Sequence, residues 1–289
     1  MKKKFIWVLA LVLLVVGSVG DLFADSKKPR FYIKLTGYGS LSSAGDFGDF
    51  ITRKDAFFAN FATDSRYTFT LTKQPFFRGF GGEMGIEVKK HAVGISAGFM
   101  AKKFTVDYRY AADNSNYESS YTWEYEFSAV PIFLFIHYKL VDSRFIKAFL
   151  TLGEGVYLAT YRDNRAATFE NAQLTFINSG IKARKAQLGF HAGISVDFNI
   201  SRNLALSLDA GYRLSKFENM KATGSYEDDN QDVPLEGVLH YKYYNVEGET
   251  GDAEFGIDAS KPPRNKWEDL PAVLNLNGIS ISVGLKIIF

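Results

Sequence analysis

The sequence predicts an all-β fold: an eight-stranded antiparallel up-and-down barrel that crosses a membrane. Three observations predict it. Apolar residues alternate with small or polar ones over eight segments, and short and long connections between these segments alternate strictly. The polar parity is rich in Gly and Ser and carries few charges. Because successive side chains of a strand point to opposite faces, this pattern gives a sheet with one apolar and one polar face.

Eight segments show the alternation. They are 31–41, 78–88, 92–103, 124–138, 145–158, 185–198, 204–215 and 278–289. Each supplies the roughly 9 to 11 residues that a tilted membrane strand requires. Two irregularities are expected: a bulge near Pro131, which cannot donate to a ladder, and a phase shift at Glu154, which falls on the apolar parity.

The connections predict a barrel with unequal ends, which we call the turn end and the loop end. Three links are short, whereas four are long: 42–77, 104–123, 159–184 and 216–273. Periplasmic turns and longer extracellular loops alternate in this way in bacterial outer-membrane barrels. The barrel domain is therefore predicted to span 31–289.

Composition excludes several classes of protein. The 289 residues include no Cys, which removes disulfides, thiolate nucleophiles and Cys-ligated metal centres. The 34 Lys and Arg nearly balance the 32 Asp and Glu, which argues against a nucleic-acid partner. Beyond the first residues no apolar run reaches the length of about 18 that a membrane helix needs.

The N-terminus resembles a secretory signal. Three lysines, Lys2 to Lys4, precede an apolar stretch from Phe5 to Val16 and a small-residue tail. This order predicts a signal peptide over residues 1–20, with cleavage after Gly20 or after Ala24. An uncleaved N-terminal anchor is the alternative. The export route indicates a protein of the cell envelope.

The polar parity is predicted to line the lumen, because eight strands leave an interior only wide enough for side chains. Its charged and titratable members form the predicted lumen network: Lys34, Glu83, Glu87, His191, Asp197, Asp209, Arg213 and Lys286. Aromatic residues near the strand ends predict two girdles at the membrane interfaces, with Tyr38, Tyr157 and Tyr161 at the loop end and Tyr32, Tyr138 and Phe145 at the turn end. The alternative is a soluble barrel with the apolar face inside.

His191 is the only histidine expected in the lumen; His91, His137 and His240 are expected in solvent. If the turn at 200–203 pairs Asp197 with Ala205, His191 faces Gly211 and lies near Asp209. Ser195, His191 and Asp209 could then serve as nucleophile, base and orienting group. The interpretation we favour is a charge-compensated network, because unpaired lumen charges cost several kcal/mol. No catalytic, cofactor or metal site is predicted.

The last long loop, 216–273, combines many aromatic residues with an acidic cluster of Glu227, Asp228, Asp229 and Asp232. The cluster lacks the alternate-position ligands and central Gly of an EF-hand. The loop is expected to form a hairpin or lid above the membrane, or an extension of the strands. Its aromatic content would suit a recognition surface.

Three stretches carry a resemblance to a known family. They are the Ile279–Phe289 terminus, the Phe190–Tyr212 hairpin with "LDAGYRL", and "FLTLGEGVYL" at 149–158. They resemble the small outer-membrane β-barrels, the OmpA, OmpX and OmpW-like porin family of Gram-negative bacteria. The resemblance implies insertion by the barrel-assembly machinery, with Phe289 as assembly signal, among outer-membrane lipid and lipopolysaccharide.

The expected function is a non-enzymatic structural or surface-interaction role. The alternatives are passage of small or hydrophobic solutes and, third, an enzyme acting on lipid or peptide. The sequence does not specify an extracellular ligand.

Overall fold

The computed structural model describes residues 29–61, 66–111, 118–169, 174–228, 231–246, 249–257 and 267–289. The predicted signal peptide and both cleavage points lie outside these residues. The acidic cluster at 227–232 lies where side chains are not described.

The described residues contain fifteen strands and one helix. The elements of the first half are β1 (Arg30–Ser42), α1 (Asp46–Phe61), β2 (Tyr67–Lys73), β3 (Phe77–Val88), β4 (His91–Ala111), β5 (Glu118–Asp142) and β6 (Ile146–Phe169). Those of the second half are β7 (Leu174–Asn199), β8 (Leu204–Leu214), β9 (Lys216–Glu218), β10 (Lys221–Asp228), β11 (Gln231–Val246), β12 (Glu249–Ile257), β13 (Trp267–Pro271), β14 (Val273–Asn275) and β15 (Gly278–Ile288). Within the described ranges, no helix is long and apolar enough to cross a membrane.

Eight of the strands close into an antiparallel ring in the order β1-β3-β4-β5-β6-β7-β8-β15. The ring closes because β1 pairs with β3 on one side and with β15 on the other. Lys34, for example, lies between Glu83 and Lys286 in the two ladders. The predicted eight-stranded barrel is confirmed.

The apolar parity of the ring points outward. Leu35, Met84 and Ile281 are 63%, 61% and 58% exposed, whereas Lys34 and Glu83 are 6% and 7% exposed. A soluble barrel would show the opposite arrangement, because a continuous exposed apolar surface of this extent is unfavourable in water. The exterior is that of a barrel immersed in lipid.

The strands run well beyond the apolar segments at the loop end. The predicted loops 104–123 and 159–184 are mostly strand, since β4 continues to Ala111 and β7 begins at Leu174. The predicted loop 42–77 contains α1 and β2, and 216–273 contains β9 to β13; β14 begins at its last residue. In the lipid band the apolar residues of these strands face outward. Above it the alternation continues with the large apolar residues on the inner face, where Phe104, Val106 and Phe127 are completely buried.

Both expected irregularities are wrong. The β4–β5 pairs Ala97–Ile132 and Met100–Ala129 share one register across Pro131, and the shift in β5 lies instead between Lys139 and Val141. Glu154 pairs with Leu134 and Phe190 without any shift. The lipid-facing row of β6 therefore includes one carboxylate.

The β7–β8 hairpin is two residues out of the expected register. Asn199, not Asp197, pairs with Ala205, because Ile200 and Ser201 both donate to the Leu204 carbonyl and close a tighter turn. His191 consequently lies opposite Arg213 rather than opposite Gly211.

The predicted girdles are only partly present. Tyr138 and Phe145 are exposed on the outer face, whereas Tyr32, Tyr157 and Tyr161 are buried inside the ring and Tyr38 lines a cavity in the lumen. Their position along the strand was right, but their parity places them in the interior.

Candidate functional site in the barrel lumen

Glu83 is the centre of a buried cluster in the middle of the lumen. Its carboxylate accepts a hydrogen bond from the Tyr32 hydroxyl and lies 2.8 Å from Nε2 of His137. Lys34, its cross-strand partner, places Nζ 3.6 Å away. His137 reaches Thr151 with its other nitrogen, at 2.9 Å. Strands β1, β3, β5 and β6 are thus connected through the lumen.

Asp209 extends this cluster to the other side of the ring. Its carboxylate accepts from Nζ of Lys34 at 3.1 Å and from the Ser282 hydroxyl at 2.5 Å. Ser282 and Ser195 are its direct neighbours on β15 and β7. The position of Asp209 therefore follows from the ladder register, which aligns all three side chains on the inner face.

A second cluster fills the lumen toward the turn end. Glu87 lies 2.6 Å from Nζ of Lys139 and 3.3 Å from Nζ of Lys147. Asp197 accepts from Lys286 at 2.7 Å and from Ser207 at 2.5 Å. Each carboxylate has at least one cationic partner, so removal of either member would leave a buried charge uncompensated.

The structure places all eight predicted lumen residues on the inner side of the ring and adds four that the sequence analysis missed: Tyr32, His137, Lys139 and Lys147. The expectation that His137 lies in solvent is wrong, since it is 5% exposed. The continuous apolar run 130–136 hid the parity of its strand. Tyr32 shares the parity of Lys34, which is the signal that could have found it.

The Ser195, His191 and Asp209 set is not assembled as a nucleophile and base. Ser195 lies opposite Asp209, and His191 lies opposite Arg213. The His191 ring packs against Phe135, with 5.4 Å between ring centroids. Among the described residues, neither ring nitrogen of His191 has a hydrogen-bond partner, so nothing connects it to Ser195.

A cavity of about 90 Å³ lies between these clusters and the loop end. Its polar lining includes Lys34, Glu83, His191, Asp209 and Arg213. Its apolar lining includes Phe133, Phe135 and Tyr157. A cavity of this volume accommodates water-sized molecules, for which about 10–15 Å³ of such space is needed.

Helix α1 closes the loop end of the ring. Phe47 and Phe50 are completely buried, one turn apart on the same helix face. Phe47 packs against Phe127, Tyr161 and Phe255; Phe50 packs against Phe104, Tyr125 and Phe255, all with ring centroids within 6.4 Å. Below them lie Phe217 of β9 and Leu274 of β14, both fully buried. We call α1, β9 and β14 the plug.

Two polar contacts hold the first turn of α1 against neighbouring strands. Asp46 accepts a hydrogen bond from the backbone N–H of Val273 at 2.5 Å, and burial raises the pKa of its carboxyl. Asp49 accepts from the Tyr241 hydroxyl at 2.6 Å and from Arg53 at 2.9 Å. Burial and this hydrogen bond to Asp49 raise the pKa of Tyr241.

Gly45, at the start of the plug, is required by the backbone. It has a φ of 64°, and a Cβ there would lie 2.2 Å from the carbonyl oxygen of Val273. It also forms an isolated bridge to Leu274. Glycine is the residue that accepts this conformation at such close approach.

The ring, its apolar exterior and its polar, side-chain-filled interior define a transmembrane β-barrel. No protein-family model matches the chain, and no curated protein matches it in sequence. Among solved structures, the chain is similar to a major outer membrane protein from Thermus thermophilus, at 13% identity and a TM-score of 0.44, covering 91% of this chain and 100% of the neighbour. It also matches the translocator domain of the autotransporter NalP from Neisseria meningitidis, at 11% identity and a TM-score of 0.19, covering 99% and 98%.

Proposed function

We propose that this chain is a non-enzymatic outer-membrane barrel with a structural and surface-interaction role, and that its lumen does not conduct solutes. The observation that carries the proposal is the continuous filling of the interior. Aromatic side chains of the plug occupy the loop end, and the clusters around Glu83 and Glu87 occupy the rest. The cavity lies between these two sets of side chains.

The outer face supports placement in an outer membrane. Its apolar band ends at Leu158 on β6 and at Leu188 and Ala186 on β7, and basic side chains follow immediately above. Arg162 pairs with Lys182 in the ladder, and Arg184 pairs with Lys221. None of the four forms an ion pair with a described residue. Phosphates of outer-leaflet lipid, such as those of lipopolysaccharide, fit this position.

Phe289 supports the proposed route of assembly. Its backbone N–H bonds to the Phe31 carbonyl at 2.8 Å, and its side chain is 66% exposed on the outer face. A terminal aromatic at a sheet edge is accessible to the barrel-assembly machinery until β1 pairs with β15.

The surface role rests on the strand extensions. Above the lipid band, β2, β4, β5, β6, β7, β10 and β11 form a continuous sheet around α1. Pairing there is extensive, with β4 and β5 in register from Lys103–Glu126 to Ala111–Glu118. A rigid wall of this kind projects from the membrane as a platform for contact with other molecules.

Planar-bilayer recording tests the closed lumen. Folded protein, identified by its faster migration on an unheated gel and by vesicle flotation, is expected to give no reproducible conductance steps. Reproducible steps from flotation-verified protein would overturn the proposal in favour of solute passage.

Single-cysteine labelling tests the orientation, and the absence of native Cys leaves no competing thiol. Thr70→Cys, on β2 at the loop end, is expected to react with a membrane-impermeant maleimide on intact cells. Ser143→Cys, at the turn end, is the matched control and should react only after permeabilisation. The reverse pattern would refute an extracellular loop end.

A further inference from the structure

Arg213 differs from the other lumen cations. Lys34, Lys139, Lys147 and Lys286 each have a carboxylate oxygen within 3.3 Å. Arg213 has none within ion-pair distance in the described part of the chain. Its guanidinium lies 4.6 Å from the ring centroid of Tyr38 and 3.5 Å from Sδ of Met100. Its contacts are the Tyr38 ring and hydroxyl and the Met100 thioether, so its five N–H groups have no charged acceptor among the described residues.

Tyr157 lines the same cavity as Arg213. Its side chain is completely buried, and its hydroxyl has no hydrogen-bond partner among the described residues. The ring is held by Phe133, at 5.0 Å between centroids, and by Phe217, at 6.4 Å. Because buried polar groups are normally hydrogen-bonded, a positioned but unsatisfied hydroxyl indicates a partner that the protein itself does not supply.

His191 is the third donor on this cavity. It lies directly opposite Arg213 in the β7–β8 ladder and lines the cavity with its ring. The two carboxylates on the same cavity are already engaged: Glu83 by Tyr32, Lys34 and His137, and Asp209 by Lys34 and Ser282. The loop-end side of the cavity therefore presents donors without acceptors.

A second cation without a carboxylate partner among the described residues lies on β4. Lys102, two residues beyond Met100 on the inner parity of β4, is 8% exposed and contacts the Phe77 ring at 6.0 Å. Among the described residues it has no carboxylate partner.

We propose that this cavity binds a small monovalent anion of about the size of chloride, held by the Arg213 guanidinium with the Tyr157 hydroxyl and a His191 N–H as further donors. An anion there neutralises a charge that the low-dielectric interior otherwise leaves unpaired, and it gives the Tyr157 hydroxyl an acceptor. The cavity volume of about 90 Å³ is sufficient for an ion of the size of chloride.

The test is a chloride titration of the purified full-length mature protein in detergent. Sodium chloride replaces sodium gluconate at constant ionic strength, and the loss of fast gel migration on heating gives the melting temperature. Binding to the folded state alone raises that temperature in a saturable way. Wild type is expected to show a saturable rise, and Arg213→Gln is expected to bind at least about tenfold more weakly.

Arg78→Gln is the matched control. Arg78 is an exposed arginine on the outer face, over the Phe76 ring at 5.1 Å, and its variant should keep the wild-type response. Tyr157→Phe, which deletes only the hydroxyl, should weaken binding roughly three- to tenfold and serves if Arg213→Gln does not fold.

Two results would overturn the proposed site. The first is no chloride-specific rise in the melting temperature of the wild type, as expected if Arg213 reaches Asp209 through water. The second is an undiminished rise in Arg213→Gln and Tyr157→Phe. Neither result depends on whether the barrel conducts.

Discussion

Replacement of Phe50 by Ala is expected to open the plug while leaving the barrel closed. Phe50 is completely buried and packs against four rings, the nearest being Tyr125 at 4.7 Å and Phe255 at 5.2 Å. Truncating a buried Phe costs about 3–5 kcal/mol, because transfer free energy is lost and a cavity is left. This range already includes the lost ring contacts, so we expect a value near its middle, about 4 kcal/mol.

The loss should appear in α1 rather than in the ring, since the ring strands are held by their own ladders and by the lumen clusters. Amide hydrogen exchange in detergent measures it directly. A loss of about 4 kcal/mol in local stability accelerates exchange of α1 amides by roughly a thousandfold, up to the limit set by the wild-type opening free energy.

Phe80→Ala is the control for this experiment. Phe80 is 67% exposed on the lipid face, so its removal should leave α1 exchange unchanged. Unheated gel migration verifies that both variants keep a closed barrel. If Phe50→Ala exchanges at α1 within about threefold of wild type, the argument that Phe50 anchors the plug is refuted.

Three further predictions concern single residues. The first two are measured by urea unfolding in lipid vesicles, and the third by amide hydrogen exchange of α1. Glu83→Gln should lower the free energy of unfolding by about 3–5 kcal/mol, because Lys34 loses part of its buried charge compensation. The control is Asp55→Asn, at the exposed pair with Lys73, which should cost less than about 1 kcal/mol. Equal losses in the two variants would refute the network. Glu154→Leu should stabilise by about 1 kcal/mol, since a carboxylate on the lipid face is unfavourable; an unchanged or lower stability would mean that Glu154 does not face lipid. Gly45→Ala should weaken the plug by about 1–3 kcal/mol through backbone strain, and wild-type α1 exchange in this variant would contradict that.

The ring could be predicted from the sequence because period-two alternation is a direct consequence of lipid on one face and a narrow lumen on the other. The same parity placed Lys34, Asp209 and Arg213 inside. Parity alone could not predict the contact partners of these residues, since a one- or two-residue change in strand register decides which side chains meet. The hairpin at 200–203 illustrates this: a tighter turn moved His191 from Gly211 to Arg213.

The plug could not be predicted in the same way. Its parts are α1 and two strands of three residues each, and segments of three residues are too short to show an apolar pattern of strand period. A helical signal was present in Phe47, Phe50, Ile51 and Phe58, which share one face at spacings of three, four and seven. Their buried surroundings come from strands that continue past the lipid. The alternation at 104–110 and 121–127 was the signal for these extensions, which the sequence analysis assigned to a loop.

The contact between Asp46 and Val273 has a consequence for the order in which the molecule assembles. The two residues are separated by 227 positions, and β14 leads within three residues into β15, the strand that closes the ring against β1. Helix α1 therefore docks only after the C-terminal part of the chain has formed β14. Contacts between residues so far apart in sequence form slowly, because the entropy of loop closure opposes them. Closure of the ring by β15 and docking of α1 therefore occur together at a late step of folding. A chain interrupted before residue 273 would lack both the closed ring and the docked helix.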